Sequence, residues 1–510
     1  MPTKTPKILI IILILAAFLR LYRLNSYPSL NPDEAALGYN AYSLLLTGKD
    51  EHGISWPFHL KSFGDYKPAG YTYLSLPFIK VFGLTPLVIR LPNALLSILS
   101  VYILYKIVLL LTFNFQLSNL TALILAVNPW HIHFSRGAWE SSTALSLILL
   151  GVYFFFKKRL YFSIFFFVLS LYFYHSARLI SPLLFLSLCF IHKSYIINRK
   201  SIFYFLFSCL LTLPVLFSFA KGGTTRFSGI GLTADHGPIS RAEELLNHHL
   251  NTKPFNRIVH NKRTLYLISW AQKYFSHFDL NFLFINGDEV PRSKVPEMGQ
   301  FYLLELSFLL LGLYCFIHKS YFINHKSFII SWLLIAPIAS SLTFQAPYAL
   351  RSLPLVIPLT ILISLGLFVF LKKFHFSTIY YLLFTIYFFS LAYYLDSYYL
   401  HYQKRYPFAW NSGFSELVPY IESQKNNFTN IYLTDKYDQP YILFLFYSRY
   451  PPALFQSQAR LSPPDRFGFS TVKNIDNISF SIPEQIPPNS LVVDSQDYQL
   501  TGQSFKIYSR

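Results

Sequence analysis

Asn31-Pro32-Asp33-Glu34, continued to Lys67-Pro68, stands just beyond the first apolar run of the chain. Two adjacent carboxylates beside a membrane segment are costly to place and call for a purpose. Read locally, the stretch is an Asn-Pro turn opening a polar loop. The rest of the chain decides whether it is more than that.

Working back, Lys4 and Lys7 precede an apolar run over 8–24. No small-residue cleavage site follows, so the run reads as an uncleaved first span with a cytoplasmic N-terminus. Working forward, 53% of the 510 residues are hydrophobic and only 13% are charged. A soluble chain of this length would carry about twice that charged fraction. Further apolar runs fall at 87–111, 117–134, 143–156, 160–174, 179–191, 201–220, 301–317, 327–344, 353–371 and 376–395. The expected fold is therefore a polytopic α-helical membrane protein of about 11–13 spans.

The net charge of +19 does not require nucleic acid as a partner. Lysines and arginines cluster between apolar runs, at Lys157-Lys158-Arg159, Lys193, Lys319 and Lys372-Lys373. Alternating sides from the first span puts every one of these clusters on the cytoplasmic face, as the positive-inside rule requires. The loops 25–86, 135–142 and 221–300 then lie outside, and so does the C-terminus. Residues 396–510 have a soluble composition, with strand patterns over 430–435 and 490–494 and helical patterns over 417–423 and 440–447. Two domains are expected: a transmembrane domain over 1–395 and a small extracytoplasmic α/β domain over 396–510. Cys189, Cys209 and Cys315 all sit in apolar runs and offer no disulfide framework. A repeated Cys-Phe-Ile-His-Lys-Ser-Tyr at 189–195 and 315–321 does not extend into the flanking runs and reads as a reused loop sequence.

The carboxylates concentrate on the outer face, which marks it as the working side. Asp33, Glu34, Asp50, Glu51, Asp65, Glu140, Asp279, Asp288 and Glu289 all fall there, together with Lys67, Arg136, Arg178, Arg292 and Arg351. A carboxylate among them suits a general base for a hydroxyl or amine. Lys67, Arg136 and Arg351 suit a phosphate, lysine as a point charge and arginine by paired N–H groups. Asp65 and Arg178 are supporting candidates. A phosphate beside apolar helices suggests a lipid-linked donor. A transporter or flippase for lipid-linked glycans is the alternative, but it calls for charge deep in the spans, where little is found beyond Glu305.

Four pieces together resemble the GT-C membrane glycosyltransferases: Asp33-Glu34 after the first span, Lys67-Pro68-Ala69-Gly70-Tyr71, Val88-Ile89-Arg90-Leu91-Pro92-Asn93-Ala94, and Asn128-Pro129. The likeness is nearest to the branch of protein O-mannosyltransferases and lipid A aminoarabinose transferases. It implies the GT-C fold, a polyprenyl-phosphate-linked sugar donor and an extracytoplasmic glycan, lipid or protein acceptor. It implies transfer by inverting displacement in the cell membrane. By the same resemblance Asp33 is the base or acceptor-positioning carboxylate, Glu34 supports it, and Lys67 meets the donor phosphate. Glu140 stands near the family's second acidic position, where an Asp is usual. Some relatives bind a metal in the outer loops, which makes His277 and Asp279 the candidate ligands for a divalent metal ion.

Overall fold

The computed structural model describes residues 7–192, 201–220, 231–247, 259–319, 321–322, 325–374, 377–463, 470–496 and 503–510. The first helix, α1 (Lys7–Leu21), leads through a short connection to α2 (Pro32–Thr47). The Asn-Pro turn is thus a helix start rather than a plain loop. Asn31 caps α2, Pro32 occupies its first turn, and Gly48 closes it in the left-handed conformation. A two-stranded hairpin follows, β1 (His59–Ser62) and β2 (Asp65–Pro68), with Lys67 opposite Leu60. The sequence carried no alternation strong enough to announce this hairpin. Then come α3 (Gly70–Phe82) and the long α4 (Pro86–Thr112).

The expected span over 117–134 is broken. α5 (Phe115–Val127) stops at Asn128, whose side chain accepts the His131 N–H and starts the short α6 (Pro129–Ser135). A 111° bend separates α6 from α7 (Glu140–Phe156). Asn93 of α4 holds the bend by donating to the Phe134 and Gly137 carbonyls at 2.8 and 2.7 Å. Helices α8 (Leu160–Ser170), α9 (Ala177–Ile191) and α10 (Ser201–Ala220) follow. Among the described residues, Pro86–Thr112, Leu353–Lys373 and Thr378–Arg405 are long and apolar enough to cross a membrane, and the bent pair makes up to four. Six further apolar helices are shorter, including Phe115–Val127, Ala177–Ile191 and Glu305–His318. Helix length therefore marks fewer spans than apolar composition did, because breaks such as Asn128-Pro129 divide the runs. The Lys193 cluster and parts of the 221–300 loop lie outside the described residues.

Helices Glu305–His318 and Val356–Lys373 form the tightest crossing. A side chain added at Gly366 would meet the Phe308 carbonyl oxygen at 1.9 Å, and one at Gly312 would meet the Leu362 carbonyl at the same distance. Only glycine lets these backbones touch.

The C-terminal segment builds a five-stranded sheet in the order β4 (Asn474–Ile475), β5 (Ile478–Ser479), β3 (Asn430–Leu433), β6 (Ser490–Ser495), β7 (Phe505–Ser509). β3 runs parallel to β5 and β6, and the outer pairs are antiparallel. Helices Phe414–Gln424, Pro440–Ser448 and Pro452–Gln458 cover it. Its core is continuous with α2: Leu37, Tyr39, Phe63 and Tyr71 are buried in one cluster with Leu417, Phe446 and Ile431.

Candidate active site

The N-terminus of α2 carries two carboxylates with opposite surroundings. Glu34 is buried. Its backbone N–H donates to Asn31 Oδ1 at 3.0 Å, and its Oε2 accepts from Asn31 N at 3.3 Å, which closes a capping box. Arg90 grips the same carboxylate with Nε at 2.8 Å and Nη2 at 2.7 Å, and the Ala138 N–H donates to it as well, at 2.8 Å. Arg90 donates its remaining N–H groups to the carbonyls of Leu24, Pro28 and Ser29. Glu34 and Arg90 therefore knot the end of the α1–α2 connection, α4 and the α6–α7 bend together. Arg90 belonged to a quoted motif, but its role could not be read without the fold.

Asp33, one residue earlier, has a carboxylate that is 36% exposed. Oδ1 pairs with Lys67 Nζ, and Oδ2 lies 3.8 Å from Arg292 Nη1. Arg292 in turn faces Asp438, with Nη2 3.7 Å from Oδ2. Burial alone would lower the Arg292 pKa, but Asp33 and Asp438 outweigh it and hold the guanidinium above its ordinary value. Burial raises the Asp438 carboxyl, Arg292 opposes that shift, and Asp33 adds to it.

Lys67 reaches Asp33 from β2 over the Phe63 ring, 5.3 Å from its centroid. The hairpin that carries it is fixed from below. Arg178 contacts His59 Nε2 at 2.8 Å, and His175 contacts the Tyr66 carbonyl at 3.1 Å. Gly70 N donates to the Tyr172 carbonyl at 3.0 Å, and an added Cβ at Gly70 would meet that oxygen at 2.4 Å. Arg178 thus supports the site through the hairpin. Behind Lys67 lies a carboxyl that the sequence did not single out. Glu51 is fully buried and exchanges two hydrogen bonds with Asn40, and burial pushes its pKa up to about 8.

Arg292 is aimed by its backbone. His133 Nε2 contacts the Arg292 carbonyl at 2.8 Å, and the Tyr402 hydroxyl donates to the Pro291 carbonyl at 3.0 Å. The sequence placed Arg292 in the right loop without distinguishing it from its neighbours. Asp438 was not distinguished at all.

Other candidates stand elsewhere. Arg136, expected on a phosphate, is buried and donates to the carbonyls of Leu19, Tyr22 and Tyr27 and to the Tyr398 hydroxyl. It caps the end of α1, where cations are favoured. Arg351 donates to Thr343 Oγ1 at 2.9 Å and stacks on Tyr348, 4.6 Å from the ring centroid. Glu140 opens α7 in its first turn, where the helix dipole favours a carboxylate. Asp65 pairs with Ser62 at the hairpin turn, and its side chain lies outside the described residues.

His277, a candidate metal ligand, turns Nδ1 to the Lys273 carbonyl at 2.8 Å. Asp279 accepts the Asn281 N–H at 3.0 Å. Both cap local turns. Among the described residues no group of three or more His, Cys, Asp and Glu converges as a metal set.

The sequence matches no protein-family model and no curated protein. The fold does resemble solved structures. A crystal structure of ArnT from Cupriavidus metallidurans bound to undecaprenyl phosphate aligns with TM-score 0.53 and 12% identity over 87% of this chain and 85% of that one. The oligosaccharyltransferase of Archaeoglobus fulgidus in its apo form aligns with TM-score 0.46 and 12% identity over 86% of this chain and 63% of that one. At such identities the first likeness speaks for the fold and the second carries no argument. The fold is therefore similar to that of ArnT, in keeping with the fold that the sequence motifs implied.

Proposed function

We propose that this protein is a GT-C glycosyltransferase that moves a sugar from a polyprenyl-phosphate-linked donor to an acceptor outside the membrane. The observation that carries the reading is the partly exposed Asp33 carboxylate set between Lys67 and Arg292. Two cations on one rim suit a phosphodiester: lysine as a point charge and arginine as a two-pronged donor. A phosphate taking those N–H groups would leave Asp33 to accept a proton.

The reaction is then a single displacement. The acceptor hydroxyl or amine gives its proton to Asp33 as its heteroatom bonds to the anomeric carbon. The bond from that carbon to phosphate oxygen breaks, and the electron pair leaves on the phosphate. Lys67 and Arg292 stabilise the charge that develops there. Inversion at the anomeric carbon follows from one in-line step. Glu34 does not face this chemistry in our reading, since Arg90, Asn31 and Ala138 hold its oxygens.

The apolar helices suit a multi-pass membrane protein. Basic ends at Lys157 to Arg159 and at Lys372-Lys373 would face the cytoplasm, while 25–86, 135–142, 221–300 and 396–510 would face outward. The crystal structure of ArnT with undecaprenyl phosphate is in keeping with this class of donor.

Asp33→Asn is the direct test. Transfer from polyprenyl-phosphate sugars, assayed in membranes, should fall by about 10²–10⁴-fold, the usual contribution of a general base. Thermal stability should change little. Undiminished transfer at equal protein level would remove Asp33 from the mechanism.

A further inference from the structure

The loop over 221–300 holds two neighbouring helices whose exposed faces differ in kind. In the helix Gly237–Asn247, Arg241, Glu243 and Glu244 are exposed, and their charges suit water. It packs against the helix Lys262–Phe275. There the exposed face is apolar: Leu267 is 61% exposed, Ile268 47% and Phe275 68%.

The spacing gathers these side chains into one stripe. In an α-helix, positions i, i+1, i+4 and i+8 fall on a single side, here Leu267, Ile268, Ala271 and Phe275. The opposite side faces the protein. Tyr266 donates its hydroxyl to the Asp235 carbonyl at 2.9 Å, and Lys273 pairs with Asp235 Oδ2 at 3.1 Å. Asn261 starts the helix by accepting the N–H groups of Arg263 and Thr264 at 2.9 and 3.1 Å. The helix is thus fixed through its polar side and leaves its apolar side bare.

What covers the stripe follows from its surroundings. Tyr274, at one edge of it, donates its hydroxyl to the Leu334 carbonyl at 2.8 Å. Leu334 belongs to the apolar helix Lys326–Ile335, where Ile330 and Leu334 are themselves exposed. In a membrane protein, exposed apolar side chains on such a helix meet lipid. The stripe therefore continues a lipid-facing surface. The helix Lys262–Phe275 also carries three basic residues and no acidic one. Lys262 and Arg263 are exposed in its first turn, where the helix dipole disfavours a cation and an anionic headgroup offsets that cost. With 14 residues the helix is too short to span a bilayer. An apolar face edged by cations on a short helix suits the plane of the membrane surface.

We propose that the helix Lys262–Phe275 lies in the membrane surface, with Leu267, Ile268 and Phe275 among the acyl chains and Lys262 and Arg263 at the headgroup phosphates. One part of the 221–300 loop then rests on lipid, ahead of the segment that carries Arg292. The inference does not rest on the transferase reading.

Spin labels on the full-length protein test it, in vesicles of phosphatidylethanolamine and phosphatidylglycerol. Nitroxides are placed at Leu267→Cys, Phe275→Cys and Glu243→Cys. The labelled wild-type chain, with its three cysteines, gives the background to subtract. Power-saturation EPR compares collisions with oxygen, which enters lipid, and with a water-soluble nickel chelate. Positions 267 and 275 should favour oxygen, at a depth of about 5–10 Å into the boundary between headgroups and acyl chains, and position 243 should favour the chelate. All three side chains are exposed, so the variants should fold, and Ile268→Cys repeats the measurement if one does not. Chelate-dominated collisions at 267 and 275 would put the stripe in water. Few collisions with either reagent would put it under protein. Either result overturns the proposal.

Discussion

The two neighbouring carboxylates of α2 show how little a residue type says before its surroundings are known. Asp33 is partly exposed between two cations, whereas Glu34 is 1% exposed and fully engaged. Removing one partner of a buried ion pair leaves a charge without compensation and costs about 3–5 kcal/mol. Glu34→Leu should therefore lower the thermal midpoint sharply, and Glu34→Leu with Arg90→Met should recover part of the loss. A midpoint unchanged by Glu34→Leu would deny the knot its structural role. Glu51 makes a prediction of its own, in pH. Its pKa is raised from the ordinary carboxyl range to about 8 by burial, so the folded state binds its proton more tightly than the unfolded one. That contribution is fully present below about pH 4.5 and is lost as pH rises through 8. Glu51→Gln keeps an oxygen for Asn40 and removes the titration. It should be more stable than the wild type at pH 9 and nearly equal at pH 5, as read by thermal melts. A pH-independent difference would show that Glu51 does not titrate with folding.

At the level of elements, long apolar runs and helix starts were legible, and geometry made by distant parts was not. The spacing that expects helices over 417–423 and 440–447 finds them at Phe414–Gln424 and Pro440–Ser448. Strand patterns over 430–435 and 490–494 become β3 and β6. Asp33 and Lys67 stood out because an acid and a base flank one outer loop near the first span. Arg292 lies some 260 positions from Asp33 and in a loop rich in charge, so nothing local singled it out. Arg136 misled for the opposite reason: an arginine at a membrane edge reads as accessible, but it closes carbonyls at the end of α1. The glycines of the crossing between Glu305–His318 and Val356–Lys373 were equally silent, since a helical glycine has no meaning until its neighbour is known. Gly366→Ala would set a methyl group 1.9 Å from the Phe308 carbonyl oxygen. The helices must separate, at a cost of about 1–3 kcal/mol for overpacking. The thermal midpoint should fall, and Gly312→Ala should not rescue it. A wild-type melt for Gly366→Ala would mean that the crossing yields freely.

Over the whole molecule, residues 396–510 are expected as a small α/β domain, and the apolar cluster that holds their sheet also holds α2 and Phe63 of the hairpin turn. Tyr39 of α2 donates its hydroxyl to the Tyr450 carbonyl at 3.0 Å and meets the Phe455 ring edge-on at 5.9 Å. Gln456 donates to the Asp50 carbonyl at 2.9 Å, and Ser470 N donates to the Phe63 carbonyl at 2.8 Å. Gly38 lets α2 approach closely, since an added Cβ would lie 2.6 Å from the Phe446 ring. The C-terminal segment is therefore the other half of the core on which the Asp33 helix rests. It also supplies Asp438 to the rim of charges around Arg292. A chain ending at residue 405 would bare Leu37, Tyr39 and Phe63 to water, and such exposed apolar surface favours local unfolding or aggregation. We expect that truncation to lose transfer and to lose hydrogen-exchange protection across α2 and the hairpin, while the crossing of Glu305–His318 with Val356–Lys373 keeps its protection. An independent C-terminal domain predicts the reverse, with α2 protection retained. The exchange pattern of α2 decides between them, because α2 alone carries Asp33 on one end and Leu37 and Tyr39 in the shared core.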